Sequence, residues 1–270
     1  MALETARRAR AAGDARPVFV VPLVWALIFK RRATAGLERE SSHLERALRL
    51  ASAGSIEQRF ARLQRGVLRQ RHERFGESAP TDAELASGTQ FFAAQAQLRD
   101  RLLERLETRH GAGGDTEFRR RLHALRRSIR ERADATVDQR REDLAMLREI
   151  DRLSAFTAER YGAATLTQEQ IAESLKRLRV WLLTRTARDR FHAVVPVACA
   201  PRIAHLRVPE PLAIEPHDLI ADPEVTTTRL VSELRTRMQS ALDALHRELE
   251  PRVAAHRRPN PFAMPRGRTA

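Results

Sequence analysis

The sequence predicts a mainly α protein of the α+β kind: a helical bundle or array inserted between a leading strand and a small C-terminal strand pair plus final helix. Three observations carry this. An apolar, β-branched run occupies residues 18–25, six amphipathic helical periods follow between 33 and 188, and short β-branched segments return after Phe191. Of thirteen prolines only Pro17, Pro22 and Pro80 precede residue 195, which leaves the middle of the chain free to be helical.

Residues 2–15 read as a short helix with Gly13 as its stop. Next comes R-P-V-F-V-V-P-L-V-W-A-L-I-F-K-R-R, residues 16–32, the most apolar stretch of the chain. Val18–Phe29 is too short to cross a bilayer as a helix, which takes about 20 residues, and Pro22 interrupts it. Arg7, Arg8, Arg10 and Arg16 before it, with the A-x-A at Ala33 and Ala35, would suit a signal peptide, but Lys30, Arg31 and Arg32 stand where a cleavage region is neutral and small. The run fits a strand covered on both faces, since it is hydrophobic without alternation, with Pro22 at an edge, bulge or end. Interfacial membrane contact is the second reading, with Lys30, Arg31 and Arg32 as a cationic rim for anionic lipid or phosphate.

The helical block begins with Leu37, Leu44, Leu48 and Ala51 on one face. Ile56, Phe60, Leu63, Val67 and Phe75 make the second helix, and the box Thr81-x-x-Glu84 opens a third with Phe91, Leu98, Leu102 and Leu106. Phe118, Leu122, Leu125 and Ile129 make the fourth, and Leu144, Leu147, Ile150 and Leu153 the fifth. The sixth follows the box Thr167-x-x-Gln170 through Ile171, Leu175, Leu178 and Leu182. Three of these segments end in R-F-G, R-H-G and R-Y-G, at Gly76, Gly111 and Gly162, which places a cation in the last turn and a glycine where a left-handed cap is wanted.

After Phe191, F-H-A-V-V-P-V-A-C, R-I-A-H-L-R-V and P-L-A-I read as returning strands. Asp222-Pro223 supplies an N-cap and N1 proline for a last helix carrying Leu230, Leu234, Met238, Leu242, Leu245 and Leu249, ending by Pro251. The predicted parts are thus a leading strand segment at 1–32, a helical insertion at 33–188, strands and helix at 189–250, and a disordered basic tail at 251–270.

Composition narrows the function. The net charge of +14 is almost all arginine, Lys30 and Lys176 being the lysines, but the arginines interleave with acids as on solvated helix faces. Aromatic residues are 5% of the chain, too few for stacking platforms, so no specific nucleic-acid partner is expected. The lone Cys199, in apolar surroundings, excludes an internal disulfide framework and a cysteine zinc site. His43, His72, His123, His192, His205, His217, His246 and His256 show no metal-ligand spacing, and there is no Walker loop, G-x-G-x-x-G after a strand, or G-x-S-x-G. No cofactor, metal or catalytic residue is therefore expected. His110 and Asp115 have the H-x4-D spacing, but in a glycine-rich link with no preceding Asn, where a helix end and the next N-cap account for them.

The segment R-I-A-H-L-R-V-P-E-P-L-A-I-E-P at 202–216, with the helix A-D-P-E-V-T-T-T-R-L-V-S-E-L-R after it, resembles the end of phospholipid/glycerol acyltransferases of the lysophosphatidate type, where a strand with a G-E-P-I-like turn precedes a final helix. Residues 3–24 resemble that family's strand of the form P-V-x-x-V-P, and E-R-F-G at 73–76 and E-R-Y-G at 159–162 resemble helix ends of a subgroup with a long helical extension. Pro209 stands where the turn has glycine. The resemblance implies the C-terminal portion of a membrane-associated glycerolipid acyltransferase, cytoplasmic and peripheral to the inner membrane. It also implies that the N-H-x4-D base and the P-E-G acceptor motif precede the P-V-x-x-V-P strand, and neither occurs there in this chain. The chain is accordingly expected not to be catalytic on its own, with acyl-CoA or lysophospholipid as ligands only alongside a catalytic half; the alternative is a non-catalytic helical module that binds an anionic membrane surface or a protein partner.

Overall fold

The computed structural model describes residues 2–14, 16–113, 116–132, 136–183 and 199–265. It is mainly helical, with small two-stranded antiparallel sheets. Two compact units divide the chain, one of residues 1–32 and 200–256 and one of residues 33–199 and 257–270.

The first unit opens with helix α1 (Ala2–Ala11) and strands β1 (Val18–Val20) and β2 (Val24–Phe29). The apolar run expected as one strand is two, because Pro22 has no N–H to give a ladder. Their partners come from after the helical block. In antiparallel register, β1 meets β5 (Leu212–Ile214), with Val20 opposite Leu212, and β2 meets β4 (Arg202–Arg207), with Trp25 opposite Leu206. Helix α9 (Pro216–Ile220) and helix α10 (Pro223–Ala254) complete the unit. Asp222 caps α10 as its sequence predicts, its carboxylate accepting from Glu224 and Val225 N–H at 2.9 and 3.0 Å. The helix passes through Pro251 instead of stopping there. Its Leu245 and Leu249 pack with Ile28, Ala26 and Val253, so α10 covers one face of the β2–β4 ribbon.

The second unit comprises α2 (Thr34–Leu48), α3 (Ile56–Arg74), α4 (Gly88–His110), α5 (Phe118–Glu131), α6 (Val137–Leu153), the short α7 (Ala158–Tyr161) and α8 (Gln168–Leu182). Helix α2 packs on α3 and α8, and α4 on α5 and α6. The predicted periods supply the core: Leu37, Leu44, Phe60, Leu63, Leu98, Leu102, Leu125, Ile150 and Leu175 are fully buried or nearly so. Leu144 lies on the exposed side of α6 while Met146 is inside, Ala51 is exposed beyond the end of α2, and Leu48, Phe75, Phe118 and Leu182 are only half-buried. Ser55–Gln58, Ser87–Gln90, Thr136–Gln139 and Thr167–Gln170 form reciprocal capping boxes. The Thr81–Glu84 box instead braces a single 3-10 turn at Ala83–Leu85, and α4 starts later from Ser87. Gly76 and Gly111 take the left-handed conformation, at φ 72° and 60°, whereas Gly162, at φ −93°, does not.

The expectation of a disordered 251–270 is corrected for residues 251–265. Residues 251–254 finish α10, and Arg258–Pro259 form strand β6 beside β3 (Thr165–Leu166). The Asn260 amide donates to Tyr161 and Ala163 carbonyls at 2.7 and 2.5 Å, and Phe262 is wholly buried. A basic, proline-rich composition hid one apolar anchor. The predicted strand 191–199 falls almost wholly outside the described residues, as do Asp115 and the chain beyond Pro265.

Candidate functional site

The predicted rim residues Lys30, Arg31 and Arg32 directly follow β2 and are all exposed. The Lys30 backbone N–H donates to Pro201 O at 3.0 Å, which continues the β2–β4 pairing to the start of the cationic turn. Across the ladder from Phe29 stands Arg202, whose guanidinium lies 4.7 Å from the centre of the Phe29 ring. The ribbon therefore ends in a group of four cations, one of them laid on an aromatic face. No carboxylate occurs in residues 16–32 or 199–209. At the other end of β4, Arg207 pairs with Glu248 at 2.7 Å.

From its sequence this run is expected to be covered on both faces, and among the described residues only one face is covered. Val24 and Ile28 are buried toward α10, but Phe19, Val21, Leu23, Trp25 and Leu27 are each between 43% and 60% exposed. Leu206, directly opposite Trp25, is 64% exposed, and Val208 is 59% exposed. Cross-strand partners share a face, so Trp25, Leu27 and Leu206 form an outward apolar surface on the β2–β4 ribbon, with Val21 and Leu23 exposed in the link before β2 and Phe19 exposed on β1 of the neighbouring two-stranded sheet. Such a group of large apolar side chains, uncovered among the described residues, is an unusual patch for a folded chain. At roughly 25 cal/mol per Å² the patch would gain substantially from being covered.

Two of the histidines lie beside carboxylates. His110 Nε2 lies 2.8 Å from Asp143 Oδ2, and Arg109 Nη1 lies 2.5 Å from the other oxygen of the same carboxylate. The His110–Asp143 contact is buried and ties α4 to α6. Asp218, beside His217, caps α9 through Glu215 N–H at 2.9 Å and pairs with Arg229. Burial pushes the Asp218 carboxyl up, but the Glu215 N–H and the Arg229 guanidinium outweigh it and hold it below the usual range. Among the described residues no group of His, Cys, Asp and Glu could hold a metal ion. No described helix is long and apolar enough to cross a membrane. Cys199 is half-buried, and its carbonyl lies tight against Gly36 of α2.

No protein-family model, curated protein or solved structure matches this chain.

Proposed function

We propose that the chain binds an anionic membrane surface through the outer face of its β1–β2 segment and the adjoining β4 strand. The single observation that carries this reading is the alternation Phe19, Val21, Leu23, Trp25, Leu27, outward and exposed, ending at Lys30, Arg31 and Arg32. An apolar surface with a cationic end matches a bilayer interface, where acyl chains take the side chains and phosphates take the cations. Each basic residue near an anionic leaflet contributes about 1 kcal/mol, so the triplet supplies roughly 3 kcal/mol before apolar burial is counted. Trp25 sits mid-face as an interfacial aromatic. On this reading the protein is peripheral, on the cytoplasmic side of the inner membrane.

The chain's two tryptophans make the test direct. In a Trp181→Phe background, Trp25 emission is expected to shift to the blue with vesicles containing phosphatidylglycerol, and to stay unmoved with phosphatidylcholine alone. Lys30→Glu with Arg32→Glu is expected to weaken flotation with the anionic vesicles at least tenfold. Equal, negligible flotation with both vesicle types sinks the proposal.

A second reading is that this is part of a glycerolipid acyltransferase. It is favoured by the pairing of strands at 18–29 with strands at 202–214 on either side of a helical block, the order the resemblance implies. Acyl transfer from acyl-CoA to a lysophospholipid by the protein isolated from its source cell tests it. Absence of such transfer from both the protein and its co-purifying partners removes it.

A further inference from the structure

Beside the first half of α3 lies an open groove of about 850 Å³, within the second unit alone. Its size suits a small organic ligand. Leu50, Ala61, Pro259 and Pro261 give it apolar walls, and Arg62, Arg65 and Arg69 reach into it from successive turns of α3. The tail expected to be disordered thus builds one side.

Charge within the groove is unevenly compensated. Glu57 is held by Arg258 at 2.8 Å, and Asp82 is held by Arg69. Glu45 is gripped twice by Arg59, at 3.0 and 2.7 Å, and stands 4.0 Å from Arg62. Arg62, apart from that long contact, and Arg65, whose guanidinium lies 5.8 Å from the centre of the Phe262 ring, are otherwise served by carbonyls. Arg62 donates to Ala51 O and to Ala53 O, the latter at 2.9 Å. Arg65 donates to Ala86 O at 2.8 Å, has no ion pair, and keeps its Nε–H buried without a hydrogen-bond partner. Burial of this cation pushes its pKa down, the sign of a charge insufficiently solvated. The N-terminus of α3, capped at Ser55, adds a positive dipole end to the same groove. Strapping α3 to the 51–53 and 80–86 loops explains the donors in use. It does not explain why two guanidinium groups line a trough with apolar walls whose carboxylates, Glu57 and Asp82, already have arginine partners of their own.

We infer that this groove binds a small anionic amphiphile, with an oxyanion head on Arg62 and Arg65 and an apolar body along Leu50, Pro259 and Pro261. The reading is independent of membrane contact, because the site lies outside the sheet unit and its ligand is taken from solution.

Calorimetric titration with decanoate and with decyl phosphate, each below its self-association concentration and without vesicles, tests it. One saturable site for either is expected, and which of the two binds identifies the head group. Acetate and uncharged decyl maltoside, each lacking half of the ligand, are expected not to bind. Arg65→Gln should weaken binding at least tenfold. Ala53→Phe, at an exposed position on the groove wall, leaves every charge in place while filling the trough and should also abolish it; thermal unfolding checks that both variants are folded. No saturable binding of either amphiphile, or binding undiminished in both variants, overturns the inference.

Discussion

Phe262→Ala separates the structure from the composition more sharply than any other change. Phe262 is fully buried, with its ring centroid 4.4 Å from that of Phe91, 5.8 Å from Phe156, 6.1 Å from Phe60 and 6.2 Å from Phe92. Removing a buried Phe to Ala costs about 3–5 kcal/mol through lost transfer energy and the cavity left behind. The backbone around it is fixed, since the Phe262 N–H donates to Asn260 Oδ1 at 2.9 Å and its carbonyl abuts Gly88, so collapse into the void is limited and the loss should fall in that range. Urea unfolding read at Trp181, in a Trp25→Phe background, reports the helical unit. With a denaturant slope of about 2 kcal/mol/M the midpoint should fall by roughly 1.5–2.5 M. Ending the chain at His256 should do the same. A midpoint unmoved by Phe262→Ala would mean that the tail is not part of the core, as its Arg- and Pro-rich sequence alone suggests, and would also remove a wall of the amphiphile groove.

Glu45→Ala should destabilise the same unit by about 3–5 kcal/mol, because it strands Arg59 in a buried site, whereas Glu45→Leu with Arg59→Met should be near neutral; equal losses in the two variants would contradict this. Gly36→Ala should destabilise despite alanine's better helix propensity, since the new Cβ meets the Cys199 carbonyl oxygen, a backbone atom that cannot rotate away; a cost of about 1–3 kcal/mol is expected in urea unfolding, and a gain in stability would refute the contact. His72 is buried with neither ring nitrogen at hydrogen-bonding geometry, so burial, aided by the nearby Arg101 charge, lowers its pKa. The unfolded chain then takes up the proton more readily than the folded one. Stability is full above the unfolded value of about 6.5 and is lost as pH falls toward and through the lowered folded value. His72→Leu should flatten that slope between pH 7 and pH 5, and an unchanged slope would assign it elsewhere.

The helical core was legible because amphipathic helices announce their inner face by spacing. Phe60, Leu63 and Val67, or Ile171, Leu175 and Leu178, leave little freedom once the period is seen. Boundaries were less so. Thr81–Glu84 is a real box on a single turn, and nothing local distinguishes it from Ser87–Gln90, which starts α4; the difference is that Leu85 is buried by the tertiary fold. Likewise Asn260 and Phe262 look like tail residues until Tyr161, Ala163 and the phenylalanine cluster supply their partners from about one to two hundred residues earlier. That Arg65 is left without an ion pair could not be read at all, since it depends on which acids the other arginines have already taken.

The sheet face shows a different limit. Period-2 arguments identify a half-buried strand by contrast between its two sides. In residues 18–29 there is no contrast, because the side toward α10 and the side toward solvent are both apolar. A strand with two apolar sides is normally covered twice, and that is the inference the sequence invites. The structure supplies one cover, α10, and leaves Trp25, Leu27 and Leu206 without a second. The mismatch is therefore informative in itself: the large apolar residues left exposed along 19–27 are the observation on which the membrane proposal rests. A run of cations at the end of the strands, with no acid among them, makes an anionic surface a better match for them than a neutral one.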